Sequence, residues 1–572
     1  MVNRWMAWLP ALGWVSTYRG GDLPKDLVAG LMVTVMLVPQ AVAYAMLAGL
    51  PPHTGLYAAL LPLLAYALFG SSPTLSVGPV AVVSLMTAAT LGALELADEQ
   101  ARIAAAALLA VMVGGFLVTM AVLRLGLVVR FISHPVLNGF LAAAAILIIL
   151  SQLPALLGLP AVQGEPYERV IGMIAGLDDA HLPTLLIGLG SAGVLLLLRG
   201  FGGRLLEFAG LPQQLATLAV QLSPLIVLVL ATWLAAAWWP GVNVVGAVPE
   251  GLPTLAWPSA DAELLRQLLP AAVLIGLVGF VESVSVAQAL AARRRGRVEP
   301  DRELLGTGAA NLAAGVSGGF PVAGGLSRSA LAFQVGAATP LTGVVTAGGI
   351  ALVLLLFSPL LVLLPLSALA AIIVLAAVSL IDLRSMVSVW RFSRADGSCM
   401  LVTLVTVLVL GIEIGIVTGV LLSLVMFVWR SSRPHIAVVG QVPGTEHYRN
   451  ILRHEVRTSR RVLAVRMDES LYFANTRWLE DRLLAEVAAR ADLAHVVLVC
   501  SAVNDIDASA LETLTSLAEA LADAGVTLHL AEVKGPVMDR LRRAGFEDAL
   551  GDGRIFLSTH GAMATLDPET FG

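Results

Sequence analysis

The chain has 572 residues, of which 58% are hydrophobic and only 13% charged, with a formal net charge of −5 and a mean hydropathy of +0.86. A water-soluble chain carries about 25% charged residues, so most of this one belongs in a membrane, and no basic patch with interleaved aromatics suggests nucleic acid. The small net charge conceals a segregation, because the chain is almost wholly apolar up to about residue 430 and of ordinary soluble composition beyond it.

The N-terminal stretch 1–26 is rich in tryptophan and lacks a small-residue cleavage site, which suggests an interfacial segment rather than a removed signal peptide. Runs long enough to cross a bilayer, about 20 residues each, follow at 27–48, 55–70, 101–123, 135–154, 182–199, 213–238, 267–291, 341–357, 359–380, 398–411 and 413–430. Interrupted segments at 75–93, 303–317 and 324–336 bring the count to fourteen. These define a transmembrane region over 27–433 and leave 434–572 as a separate domain.

Basic residues follow even-numbered spans after the second, namely the fourth, sixth, eighth, twelfth and last: Arg124 and Arg130; Arg199 and Arg204; Arg293, Arg294, Arg295, Arg297 and Arg302; Arg384, Arg391 and Arg394; Arg430 and Arg433. The alternate loops carry acids, among them Glu95, Asp98, Glu99, Glu165, Glu168, Asp178, Asp179, Glu250, Asp261 and Glu263. Positive charge marks the cytoplasmic side, which puts both termini in the cytoplasm.

Two charges fall inside the apolar region. Glu282 sits in AAVLIGLVGFVESVSVAQAL, and Arg328 sits in the glycine-interrupted stretch GGFPVAGGLSRSA. An ionised side chain at the bilayer centre costs roughly 2.5 to 3.5 kcal/mol on insertion scales, so the pair points to a transport site. Seven spans precede the run holding Glu282, and two sevenfold halves would lie in opposite orientation. The third span of each half, FGSSPTLSVGPVAVVSLM and SGGFPVAGGLSRSALAFQ, reads as a Gly/Pro/Ser-rich extended stretch followed by a short helix. Paired broken helices aim their positive N-termini at the midplane, and the inferred ligand is an anion. Glu413 falls at a turn between the last two spans, where a structural role is expected.

From about Tyr448, short β-rich runs alternate with amphipathic helices, the pattern of a small α/β domain. Cys399 and Cys500 lie in different regions without neighbours at metal-ligand spacing, and read as reduced packing residues. No catalytic triad, nucleotide loop or metal cluster stands out, so neither an enzyme nor a cofactor is expected.

Several motifs agree in order: PQAVAYAMLAGLPPHTGLY from Pro39 to Tyr57, SVGPVA from Ser76 to Ala81, ISHPVLNGF from Ile132 to Phe140 and LSRSA from Leu326 to Ala330. Together they resemble the SulP family of anion permeases, the bacterial branch of solute carrier family 26. The resemblance implies a polytopic α-helical membrane protein with fourteen segments in a 7+7 inverted repeat, divided into core and gate domains. It also implies a homodimer and a cytoplasmic α/β STAS domain. By the same resemblance, Gln40 and Tyr44 of the first span, Gly78, Pro79 and Val80 at the third, and Ser327 and Arg328 at the tenth form the anion pocket. Glu282 matches the acidic position that proton-coupled members use, while Ser283 and Ser285 offer hydroxyls that would suit sodium. In the loop NDIDASALETL, Ser509 resembles the serine phosphorylated in soluble STAS proteins, and Asp507 or Ser509 also suits a helix cap.

The function so implied is a secondary active transporter in a bacterial inner membrane, importing sulfate or a similar oxyanion with protons by alternating access. A bicarbonate or dicarboxylate carrier coupled to sodium or protons is the nearest rival. An uncoupled channel or a STAS-based signalling protein fits less well, because neither needs Glu282 at that depth. Expected partners are the anion, H+, membrane lipid, a second copy of the chain and a cytoplasmic protein at the STAS domain.

Overall fold

The computed structural model describes residues 11–94, 96–126, 133–160, 166–210, 212–239, 241–246, 251–259 and 261–571. Glu95, Arg130, Ile132, Glu165, Glu250 and the first ten residues of the N-terminal segment, all invoked above, lie outside them. The chain divides into two compact units, Met1–Ser423 and Leu424–Gly572.

In the first unit the fourteen expected segments are helices: α1 (Leu23–Leu47), α2 (Leu61–Phe69), α3 (Ala81–Gly92), α4 (Glu99–Val122), α5 (His134–Leu157), α6 (Leu182–Leu197), α7 (Ser223–Trp238), α8 (Ala262–Arg293), α9 (Pro300–Val316), α10 (Leu326–Val335), α11 (Leu341–Leu356), α12 (Leu366–Val378), α13 (Arg394–Leu410) and α14 (Ile412–Ser432), the last running on into the second unit. Among the described residues, eight helical stretches are long and apolar enough to cross a bilayer unaided. By contrast α3 and α10 have 12 and 10 residues, too few at 1.5 Å per residue for a ~30 Å hydrocarbon core. Each is preceded by a two-residue strand, β1 (Val77–Gly78) and β2 (Ala323–Gly324). The segment expected over 213–238 is two helices, Gln213–Gln221 and α7, because the Ser-Pro pair at the start of α7 opens a new helix. Conversely α1 runs unbroken through Pro39, which therefore does not interrupt it.

The packing has a hidden twofold. Helix α4 lies against α8 and α9, and α11 lies against α1 and α2; α5 meets α12 and α13, and α12 meets α5 and α6; α3 touches α8, and α10 touches α1. Advancing every label by seven maps this set onto itself, which is the inverted repeat. The densest packing separates a core of α1–α4 with α8–α11 from a gate of α5–α7 with α12–α14. Within the core, α4 and α9 meet backbone to backbone: a Cβ at Gly114 would come within 2.7 Å of Leu312 N, and one at Gly315 within 2.5 Å of Ala107 O. Small residues allow such approach where lipid supplies no hydrophobic drive. Between α13 and α14 the chain turns at Gly411, whose φ of 90° favours glycine, and Glu413 sits exposed in the first turn of α14, where the helix dipole favours an acid.

The second unit is a six-stranded sheet of order β4-β3-β5-β6-β7-β8, built from β3 (Ile436–Gln441), β4 (Tyr448–Asn450), β5 (Val462–Met467), β6 (His495–Val499), β7 (Thr527–Ala531) and β8 (Ile555–Phe556). Strands β5 to β8 are parallel, and β3 pairs antiparallel with β4 and β5. Helices α15 (Thr476–Ala488) and α16 (Ala508–Asp523) cover one face through Leu479, Leu483, Leu514, Leu517 and Leu521. Asp507 caps α16, its Oδ1 accepting from Ala510 N at 2.8 Å, and its Oδ2 accepts from Phe473 N at 2.9 Å. Ser509 is exposed in the first turn. Both cysteines are buried and outside any disulfide, and burial pushes the Cys500 thiol up to about 12, consistent with a packing role.

His529 on β7 gives this unit an acid limit. Its Nδ1 accepts from Arg554 N at 3.0 Å, so its single proton is on Nε2, which faces Nδ1 of His495 at 3.2 Å. A second proton would set donor against donor. Burial, His495 and Arg554 lower His529 to about 4, below the ~6.5 of an unfolded histidine. The unfolded chain then binds more protons between those values, so stability is complete above about pH 6.5 and falls as pH drops toward 4. Proteolysis of the second unit in the full chain should accelerate over that window, and His529→Gln should flatten the dependence.

Candidate anion site

The two broken segments cross where β1 and β2 pair antiparallel, Val77 opposite Gly324 and Gly78 opposite Ala323. Polar side chains hold the crossing. Ser283 Oγ on α8 accepts from Gly324 N at 2.8 Å and donates to Gly279 O at 2.6 Å. Asn311 on α9 grips Val322 through both of its amide atoms, each at 2.9 Å. Ser329 Oγ accepts from Ser76 N at 2.9 Å, and Gly325 N donates to Ser76 O at 3.0 Å. The crossing brings the N-termini of α3 and α10 together, and neither is capped by a side chain. Their first-turn N–H groups lack intrahelical acceptors and carry the positive end of the dipole.

Arg328 lies beside this crossing, 1% exposed. Its Nη1 donates to Gln40 Oε1 at 3.2 Å and to the Pro79 carbonyl at 3.0 Å. Those bonds tie α10 to α1 and to the entry of α3. Nε and Nη2, by contrast, are buried without a partner. These two donors form one edge of the guanidinium, the edge that grips two oxygens of an oxyanion side by side. Because Gln40 spends its oxygen on Arg328, its amide NH2 is left to donate elsewhere. Tyr44 is one turn along α1 on the same face, and both residues are buried. Ser327 is exposed in the first turn of α10.

Glycine at 325 makes room for the guanidinium. A Cβ there would meet Arg328 Nη2 at 2.5 Å and Cζ at 2.6 Å. Gly325→Ala should displace the guanidinium and lower anion affinity about tenfold, the equivalent of one charge-assisted hydrogen bond. Gly348→Ala, where a Cβ would meet nothing within 4 Å, should leave affinity unchanged in the same radioligand binding assay.

Glu282 neighbours Ser283 on α8, at the level of β2, and its Oε2 is buried without a partner. Arg328 is the charged group whose field reaches it, yet the two form no ion pair, and the hydrogen bonds of Arg328 run to Gln40 and Pro79. Of the two hydroxyls suggested for sodium, Ser283 is engaged with backbone on both sides and Ser285 is exposed. Among the described residues no cluster of His, Cys, Asp or Glu has the spacing for a metal ion.

Sequence reasoning missed the clamps Asn311 and Ser329 and two buried carboxylates. Glu303 accepts from Tyr66 Oη at 2.7 Å and from Ser71 Oγ at 2.5 Å, joining α9 to the exit of α2. Asp26 accepts from Ala338 N at 2.7 Å and from Thr339 Oγ at 2.6 Å, joining α1 to the entry of α11. Asn311 inside the apolar GAANLAAG was the one visible signal; Glu303 is hidden among loop charges.

Comparison with known proteins agrees with this architecture. The sulfate permease family matches residues 23–403 and the STAS domain matches residues 453–562. The chain is 37% identical over 568 residues to the chloroplastic sulfate transporter 4.1 of Arabidopsis thaliana, covering 97% of this chain and 82% of that protein. It is 34% identical over 558 residues to a probable sulfate transporter of Mycobacterium tuberculosis, covering 96% of each. The inward-facing structure of the murine solute carrier 26 family member A9 anion transporter superposes with a TM-score of 0.89 at 22% identity, over 99% of this chain and 95% of that one. Fold, motif order and relatives converge: this chain belongs to the sulfate permease family of membrane anion transporters and carries a C-terminal STAS domain.

Proposed function

We propose that the protein imports sulfate, or a closely similar oxyanion, together with protons. The observation that carries this reading is the free Nε/Nη2 edge of buried Arg328 beside two uncapped helix N-termini, a donor set matched to a multi-oxygen anion rather than to a halide. The relatives named as sulfate transporters support the choice of anion. In the proposed pocket the Gln40 amide, the Tyr44 hydroxyl, backbone at Gly78, Pro79 and Val80, and Ser327 complete the shell around Arg328. All of these belong to the core, on its helices or on the extended stretch before α3, so the loaded site would travel as one body when the core moves against the gate.

Proton coupling follows from Glu282. An arriving anion neutralises the field of Arg328, the buried carboxylate loses the charge that favours its ionised form, and it takes a proton. The engaged state of Ser283 favours this over sodium. The basic loops support cytoplasmic termini in a bacterial inner membrane. A homodimer, and a regulatory partner at the STAS surface near exposed Ser509, complete the reading.

The test is uptake of radiolabelled sulfate into proteoliposomes under separately imposed pH and sodium gradients. Accumulation should follow an acid exterior. Uptake that ignores pH and follows sodium, or that moves bicarbonate but not sulfate, would overturn the proposal.

A further inference from the structure

Between α12 and α13 the chain forms a ten-residue helix, Leu383–Phe392, where the sequence suggests merely a basic loop. Residues 379–382 separate it from α12, and Ser393 alone separates it from α13. It therefore lies where two spanning helices leave the bilayer. Asp382 caps it, accepting from Ser385 N at 2.9 Å.

One side of this helix is packed. Ser385 Oγ accepts from Asn138 Nδ2 on α5 at 2.9 Å, and the Trp390 ring covers Gly397 on α13, where a Cβ would come within 2.5 Å of it. The other side is exposed and of mixed chemistry. Leu383 is 67% and Val387 50% exposed, Trp390 lies at the boundary of the two sides with 44% of its surface exposed, and beside them run Arg384 and Arg391, also exposed. Seven residues are two helical turns, so the two guanidinium groups stand on one line along the helix. Neither has a partner among the described residues. Leu383, Arg384, Val387, Ser388, Arg391 and Phe392 line a shallow, open depression on this surface.

We propose that this helix binds an anionic glycerophospholipid, its phosphate between Arg384 and Arg391 and its acyl chains along Leu383, Val387 and Trp390. Charge complementarity selects the headgroup, and the apolar stripe beside the arginines selects a lipid over a free phosphate, which has no use for exposed leucine and valine. The site rests on the gate helices α5 and α13, so an occupied site would brace the gate from the membrane surface. It is independent of the anion pocket and of what that pocket carries.

Native mass spectrometry of the delipidated full-length protein tests this, with phosphatidylglycerol, phosphatidylcholine of the same acyl chains, and glycerol 3-phosphate as probes. Wild type should bind phosphatidylglycerol at least tenfold more tightly than phosphatidylcholine. Each arginine near a membrane surface contributes about a fivefold factor, so Arg384→Gln with Arg391→Gln should weaken phosphatidylglycerol roughly thirtyfold, while the double lysine variant retains most binding. Val387→Ser should weaken both lipids. Equal affinity for the two lipids, unchanged affinity in the double glutamine variant, or displacement by equimolar glycerol 3-phosphate would each overturn the proposal. If the double variant fails to fold, the single variants read the same effect at about fivefold each.

Discussion

Replacing Arg328 by alanine is expected to weaken sulfate binding by roughly a hundredfold or more. Two charge-assisted hydrogen bonds from the free edge would be lost, and each is worth about 1.5 to 3 kcal/mol. A structural cost accompanies the loss, because Gln40 Oε1 and the Pro79 carbonyl lose their donor in a buried place. Arg328→Lys separates the two contributions: it restores a positive charge but not the planar fork, so it should recover stability more fully than affinity. Equilibrium binding and thermal unfolding of correctly inserted protein, measured side by side, decide the matter. An alanine variant that binds sulfate as wild type does would remove Arg328 from the site.

The second large effect is expected at Glu282→Gln, which keeps shape and hydrogen-bonding capacity but can neither gain nor lose a proton. The carrier is then held in the equivalent of its protonated form. In proteoliposomes, acid-driven accumulation should fall to the level seen without a gradient, while counterflow exchange of sulfate continues. The split is the informative readout, because a general loss of folding would abolish both activities. Retained accumulation under an acid exterior would put the proton on another group, and the buried carboxylates Glu303 and Asp26 would be the next to test.

What the sequence made legible was whatever local chemistry announces. Apolar runs marked the spans, and Gly/Pro-rich stretches marked the breaks before α3 and α10, since a half-helix must start somewhere and glycine and proline say where. Arg328 and Glu282 stood out because charge is rare in apolar surroundings. The bonds that organise the site were illegible for a different reason: Arg328 meets Gln40 across 288 positions and Ser76 meets Ser329 across 253, and nothing local in either partner encodes the other. Boundaries failed where hydropathy is blind. The break before Ser223 lies inside one apolar stretch, and the Leu383–Phe392 helix mixes apolar and basic residues so evenly that it reads as a loop.

The glycine-lined contact between α4 and α9 bears on how such a chain can be divided. It joins helices from opposite repeats, so the seam that must stay shut during any rearrangement runs between the halves. The boundary between core and gate, along which the proposed transport motion would run, cuts through each half instead. Sequence symmetry and mechanical units are thus crosswise to one another. Two separately synthesised halves would each bring four helices of one body and three of the other, and would leave bare the close-fitting glycine faces meant for the missing half. Neither fragment holds a whole core or a whole gate; each is half of two different bodies.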